Sequence, residues 1–193
     1  MSRKIIFFGD SITDAHRSVM NPLGTGYVSM IQNSVNDTLM NQGISGNTSK
    51  DLLYRLQRDV LDVDADEVFI MIGINDVWQR YKEKYDGLYL NVEAYRDNLE
   101  TMIQKIQENS KEITLLMPFY LNTDKEDAMH QRTVLFQEAL KEIALKYNLK
   151  LIDIQAQMNT YLNDHDASTI SDDYVHVNDL GNKIIADTIL KHI

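Results

Sequence analysis

The chain has 193 residues, 44% of them hydrophobic, with 8 Gly, 2 Pro and no Cys. That length fits a single domain, expected over residues 1–193, and the composition excludes disordered or collagen-like sequence, a disulfide framework, a Cys-based zinc site and a Cys nucleophile. The formal charge of −10, from 19 basic against 29 acidic residues, argues against nucleic acid and anionic membranes as partners, because both need clustered cations.

The first element is the apolar run Ile5-Ile6-Phe7-Phe8, a strand that ends at Gly9-Asp10. It falls short of the roughly 7–15 apolar residues of a secretory leader, and no stretch nears the ~18 of a membrane helix. A cytoplasmic protein without membrane insertion is expected. Tyr27, Val28, Ile31 and Val35 then mark a helix, and Thr38–Asn41 a weak second strand before Gly43. Leu52, Leu53, Leu56 and Val60 mark another helix, with Asn47, Thr48 or Ser49 as its cap. Val68–Ile72 is a strong strand ending at Gly73. An irregular stretch from Val77 to Asn91 carries Trp78, Tyr81, Tyr85 and Tyr89.

The stripe Tyr95, Leu99, Met102, Ile103, Ile106 predicts a long amphipathic helix. Ile113–Met117 is a strand ending at Pro118, followed by an irregular stretch from Phe119 to His130. Leu135, Ala139, Leu140, Ile143, Ala144 and Tyr147 give a further helix, and Leu149–Ile154 the last strand. Asn178 caps a final helix carrying Ile184, Ile185, Ile189 and Leu190. Continuous apolar runs are strands buried on both faces, as in parallel sheets. Strands alternating with helices predict a doubly wound α/β domain with five parallel strands. Ligands bind such sheets at the carboxyl ends of the strands, where both irregular stretches should overhang.

Ser11 lies at the first of these strand ends. A serine hydroxyl needs a base, an orienting group for the base, and donors for the oxyanion. Taken alone, Ser11 equally fits a turn or helix-cap serine. Of five histidines, His176 stands out, with Asp173 three residues before it on a loop that opens a helix; Asp172 is the other partner to weigh. Gly46, in Gly43-Ile44-Ser45-Gly46-Asn47, lets its N–H approach a ligand closely, and Asn75, in Gly73-Ile74-Asn75-Asp76, offers an amide. Nucleophile, backbone donor and amide donor thus follow strands one, two and three, with the base beyond strand five.

These four blocks, in this order across nearly the whole chain, resemble the SGNH hydrolases, the GDSL esterases/lipases. The resemblance implies a flavodoxin-like three-layer α/β/α sandwich and hydrolysis of a small-molecule ester without cofactor or metal. It implies Ser11 as nucleophile, His176 as base and Asp173 as its partner, and the N–H groups of Ser11 and Gly46 with the Asn75 amide as the oxyanion hole. Where many relatives carry Gly-Val-His-Pro in the last block, this chain has Tyr174-Val175-His176-Val177.

Competing motifs are lacking. The Gly-x-Ser-x-Gly elbow fails because Asn47 holds the final glycine position, Gly24-Thr25-Gly26 lacks a preceding strand and a third glycine, and no Walker or His-Glu-x-x-His pattern occurs. The alternative to an esterase is a non-catalytic flavodoxin-like binding module. Trp78, Phe119 and Tyr174 are candidates for contacting substrate, each with packing or solvent exposure as the simpler explanation. The acyl and alcohol parts of the ester are open among acetylated sugars, lysophospholipids and thioesters.

Overall fold

The fold grows from Ile5, Ile6, Phe7 and Phe8, all fully buried in a computed structural model that describes residues 2–78 and 91–193. They occupy β1 (Lys4–Gly9), which pairs in parallel with β2 (Thr38–Gly43) on one side and β3 (Glu67–Met71) on the other. Strands β4 (Glu112–Leu116) and β5 (Lys150–Ile152) extend the sheet, again in parallel, to the order β2-β1-β3-β4-β5. This is the flavodoxin-like order, whose topological switch point lies between β1 and β3.

Side-chain alternation along β1 splits the core into two layers. Ile5 and Phe7 pack with Tyr27, Val28 and Ile31 of α2 (Tyr27–Gln32), Met158 of α7 (Ile154–Leu162) and Ile185 and Ile189 of α8 (Asp179–Leu190). Ile6 and Phe8 pack with Leu52 and Leu56 of α3 (Ser49–Leu56), Leu99 and Met102 of α5 (Val92–Glu108), and Leu140 and Ile143 of α6 (Ala128–Lys146). The expected three-layer α/β/α sandwich with a five-stranded parallel sheet is what forms. Thr48 caps α3 through a capping box with Asp51, and Asn178 caps α8.

Some boundaries differ from the sequence reading. β2 runs on to Gly43; as an edge strand it alternates in burial, which made it look weak. The apolar run Leu149–Ile154 is divided, because the Asp153 side chain accepts from the Ala156 N–H and starts α7, a helix the sequence did not reveal. Asn33 closes α2, leaving Val35 outside it. Tyr81, Tyr85 and Tyr89 lie outside the described residues. Among the described residues, no helix is long and apolar enough to cross a membrane.

Candidate active site

The chain leaves β1 through a turn only glycine permits: a Cβ on Gly9 would stand 2.3 Å from Thr13 Oγ1 and 2.7 Å from the Met71 carbonyl. Asp10 then caps the short helix α1 (Ser11–Asp14), its carboxylate accepting from the Ile12 N–H at 3.0 Å. Ser11 therefore opens α1 at the switch-point edge of the sheet, with its Oγ 2.9 Å from His176 Nε2.

His176 and Asp173 sit on a loop closed by the antiparallel bridge Ser171–Val177. Asp173 Oδ1 accepts the backbone N–H groups of Val175 at 3.0 Å and His176 at 2.7 Å, while Oδ2 faces His176 Nδ1 at 2.6 Å. Partial burial works against the Asp173 charge, but the hydrogen bonds from the His176 ring, the His176 N–H and the Val175 N–H outweigh it and hold the carboxyl below its ordinary pKa. A charged Asp173 accepts a hydrogen bond from Nδ1–H, which keeps the ring proton on Nδ1 and leaves Nε2 as the acceptor facing Ser11. Asp173 rather than Asp172 meets the ring. Tyr174 adopts φ +64°, the left-handed region that glycine occupies without strain. The position is therefore one that suits glycine. The Tyr174 carbonyl, accepting from the Leu121 N–H at 2.9 Å, ties the loop to the segment after β4.

Gly46 and Asn75, the residues expected to supply oxyanion donors, lie at two further strand ends. Gly46 has φ +81°, and nothing lies within 4 Å of where its Cβ would be, so its surface is open to a ligand. Asn75, on α4 (Ile74–Trp78), donates from Nδ2 to the Asn47 carbonyl at 2.9 Å. An amide has two N–H donors, so one remains for a ligand. Next to it, Asp76 is fully buried and accepts from Ser49 N at 3.0 Å and Ser49 Oγ at 2.5 Å. Burial pushes its carboxyl up to about 7 despite these hydrogen bonds. Ser49 Oγ in turn accepts from Asn98 Nδ2 at 3.0 Å.

Ser11, Gly46, Asn75, Trp78 and His176 line one cleft of about 620 Å³. The Trp78 ring centroid stands 6.0 Å from that of His176. His16, Thr25 and Asp179 also line it; no sequence pattern marked them, since they lie on loops and a helix start brought in by the fold. Two expectations are corrected. Phe119 is fully buried in the apolar core and does not line the cleft. Tyr174 is 43% exposed and packs edge-on to Tyr120, ring centroids 6.1 Å apart, outside the cleft lining. Among the described residues, no group of three or more His, Asp or Glu is placed to hold a metal ion.

Comparison with known proteins agrees with this geometry. The profile of the GDSL-like Lipase/Acylhydrolase family matches residues 7–184. An acetylxylan esterase of Geobacillus stearothermophilus is 34% identical over 208 residues, covering 98% of this chain and 93% of that protein. The crystal structure of an acetylxylan esterase from that organism superposes with a TM-score of 0.92 at 32% identity, covering 98% of this chain and 93% of the other. An alpha/beta hydrolase enzyme from the metagenome of Lake Arreo, Spain, superposes with a TM-score of 0.93 at 31% identity, covering 98% and 94%. Solved catalytic mutants of the Geobacillus enzyme replace a serine, an aspartate and a histidine by alanine, the last two lying three positions apart.

Proposed function

The chain belongs to the GDSL-like lipase/acylhydrolase family, and from that premise we propose that Ser11 removes acetyl groups from xylose-based oligosaccharides, with His176 as its base and Asp173 orienting His176. The protein is a carboxylic ester hydrolase of the SGNH type, so the non-catalytic binding module is set aside.

In this reading His176 Nε2 takes the Ser11 proton as Oγ attacks the acetyl carbonyl carbon. The tetrahedral oxyanion is met by the N–H groups of Ser11 and Gly46 and by Asn75 Nδ2. The imidazolium, stabilised by Asp173, passes its proton to the departing sugar oxygen. Water, deprotonated by His176, then releases acetate from the acetyl-Ser11 ester. One observation carries the proposal: the Ser11–His176–Asp173 relay, at 2.9 and 2.6 Å, faces a cleft that also presents Gly46 and Asn75.

The acetylated-sugar substrate rests on the 34% identical acetylxylan esterase and on a polar cleft rim that includes His16, Asn178 and Asp179. The test is acetate release from acetylated xylooligosaccharides, measured beside p-nitrophenyl acetate and octanoate. We expect turnover of the first two and little of the third. Efficient cleavage of octanoate with none of the oligosaccharide would overturn the substrate assignment.

A further inference from the structure

Arg55 is buried on α3, its guanidinium 4.5 Å from the centre of the Phe8 ring. Its donors spread over separate parts of the chain. Nε donates to Asn47 Oδ1 at 2.7 Å, Nη2 to the Gly9 carbonyl at 2.8 Å, and Nη1 to the Gln42 carbonyl at 2.9 Å. Nη1 also meets Asp59 Oδ2 at 2.7 Å, one turn on, where α3 passes into the π-helical turn Gln57–Leu61.

The contacted groups flank the reaction centre. Gly9 stands two residues before Ser11 and Asn47 directly follows Gly46. Asn47 is held twice, through its side chain by Arg55 and through its carbonyl by Asn75 Nδ2. One rigid guanidinium thus ties the end of β1, which delivers the nucleophile, to the loop after β2. A lysine ammonium lacks the planar fork needed to reach these acceptors together. A buried ion pair is weak evidence of a purely stabilising role, because replacing one by apolar side chains is often neutral or stabilising.

We propose that Arg55 is a positioning residue for the oxyanion hole: through Asn47 it sets the Gly46 N–H and the Asn75 amide relative to Ser11. The proposal rests on the roles given above to Ser11, Gly46 and Asn75.

The test uses Asn47→Ala, which removes the Arg55 acceptor but keeps the carbonyl that Asn75 holds. Loss of a whole oxyanion donor costs about 10²–10³ in rate, and small misplacement of a reacting geometry up to about 10². Asn47→Ala should therefore lower kcat about 10- to 100-fold on p-nitrophenyl acetate, with KM within about twofold and the melting temperature lower by only a few degrees, the mark of the unpaired Nε. Asn47→Asp, which restores the acceptor, should recover most of the rate. Arg55→Lys, which also loosens the ties to Gly9 and Gln42, should lose at least as much kcat, and adding Asn47→Ala to it should cost little more, because the Arg55–Asn47 contact is then already cut. Wild-type kcat in Asn47→Ala, or additive losses in the double variant, would overturn the proposal. Ser11→Ala assayed in parallel separates the two levels. If it stays active, the site assignment fails; if it is dead while Asn47→Ala is unaffected, only the role of Arg55 fails.

Discussion

Asn75 offers the sharpest test of the oxyanion hole. Its amide has two donors, of which one is bound to the Asn47 carbonyl at 2.9 Å, so Asn75→Ala removes a ground-state hydrogen bond together with the donor left for the oxyanion. The two losses have different sizes and different readouts. The Asn47 contact, a neutral hydrogen bond at a half-buried residue, is worth about 1 kcal/mol of stability, or roughly 2–4 °C in melting temperature for a chain of this size. The donor to the oxyanion acts only as charge develops, and its loss costs about 10²–10³ in kcat, or roughly 3–4 kcal/mol. Steady-state kinetics on p-nitrophenyl acetate should accordingly show a large fall in kcat and little change in KM. Asn75→Asp keeps the shape but loses the donors, and should be as slow as Asn75→Ala. A change confined to KM, or a kcat within threefold of wild type in either variant, would refute the assignment.

Ser11→Ala should abolish turnover while leaving the fold intact by circular dichroism; His176→Ala should be nearly as damaging, and the double variant little worse, since the pair acts as one unit. Asp173→Asn should reduce kcat by up to about 10⁴, because the ring loses the partner that sets its tautomer. In the wild type, hydrogen bonds from the His176 ring and from the Val175 and His176 N–H groups hold Asp173 ionised below the ordinary carboxyl range. Asp76 predicts a pH-dependent stability. Its folded pKa of about 7 is raised by burial above an unfolded value of about 3.9, so its contribution is full below the latter and is lost as pH rises through the former. Urea unfolding should show the wild type losing roughly 2–3 kcal/mol between pH 5 and 8 relative to Asp76→Asn; parallel curves for the two proteins would contradict this. Trp78→Ala should raise KM for acetylated xylooligosaccharides by about tenfold, the worth of one lost aromatic face, while p-nitrophenyl acetate is turned over with nearly unchanged KM.

The sequence by itself determined whatever depends on neighbours along the chain. The buried run Ile5–Phe8 announced a central parallel strand because both of its faces are apolar, and the cap candidates Asn47, Thr48 or Ser49, of which Thr48 is the cap, and Asn178 announced their helices because a cap bonds N–H groups two or three residues away. Asp173 and His176 were legible as a pair for the same reason: three residues apart, they meet within one loop. The tertiary structure decided the rest. Ser11 and His176 are 165 residues apart, and only the crossovers of the doubly wound sheet bring Oγ and Nε2 to 2.9 Å. Phe119 could be read as a pocket wall, with packing as the simpler explanation, until the fold buried it in the core. No sequence pattern marked Arg55, yet it reaches Gly9, 46 positions away in the chain. Hydrophobic periodicity records whether a side chain is buried, not which groups it will meet there. Those partners are set by strand order and helix packing, interactions between segments that no local pattern encodes.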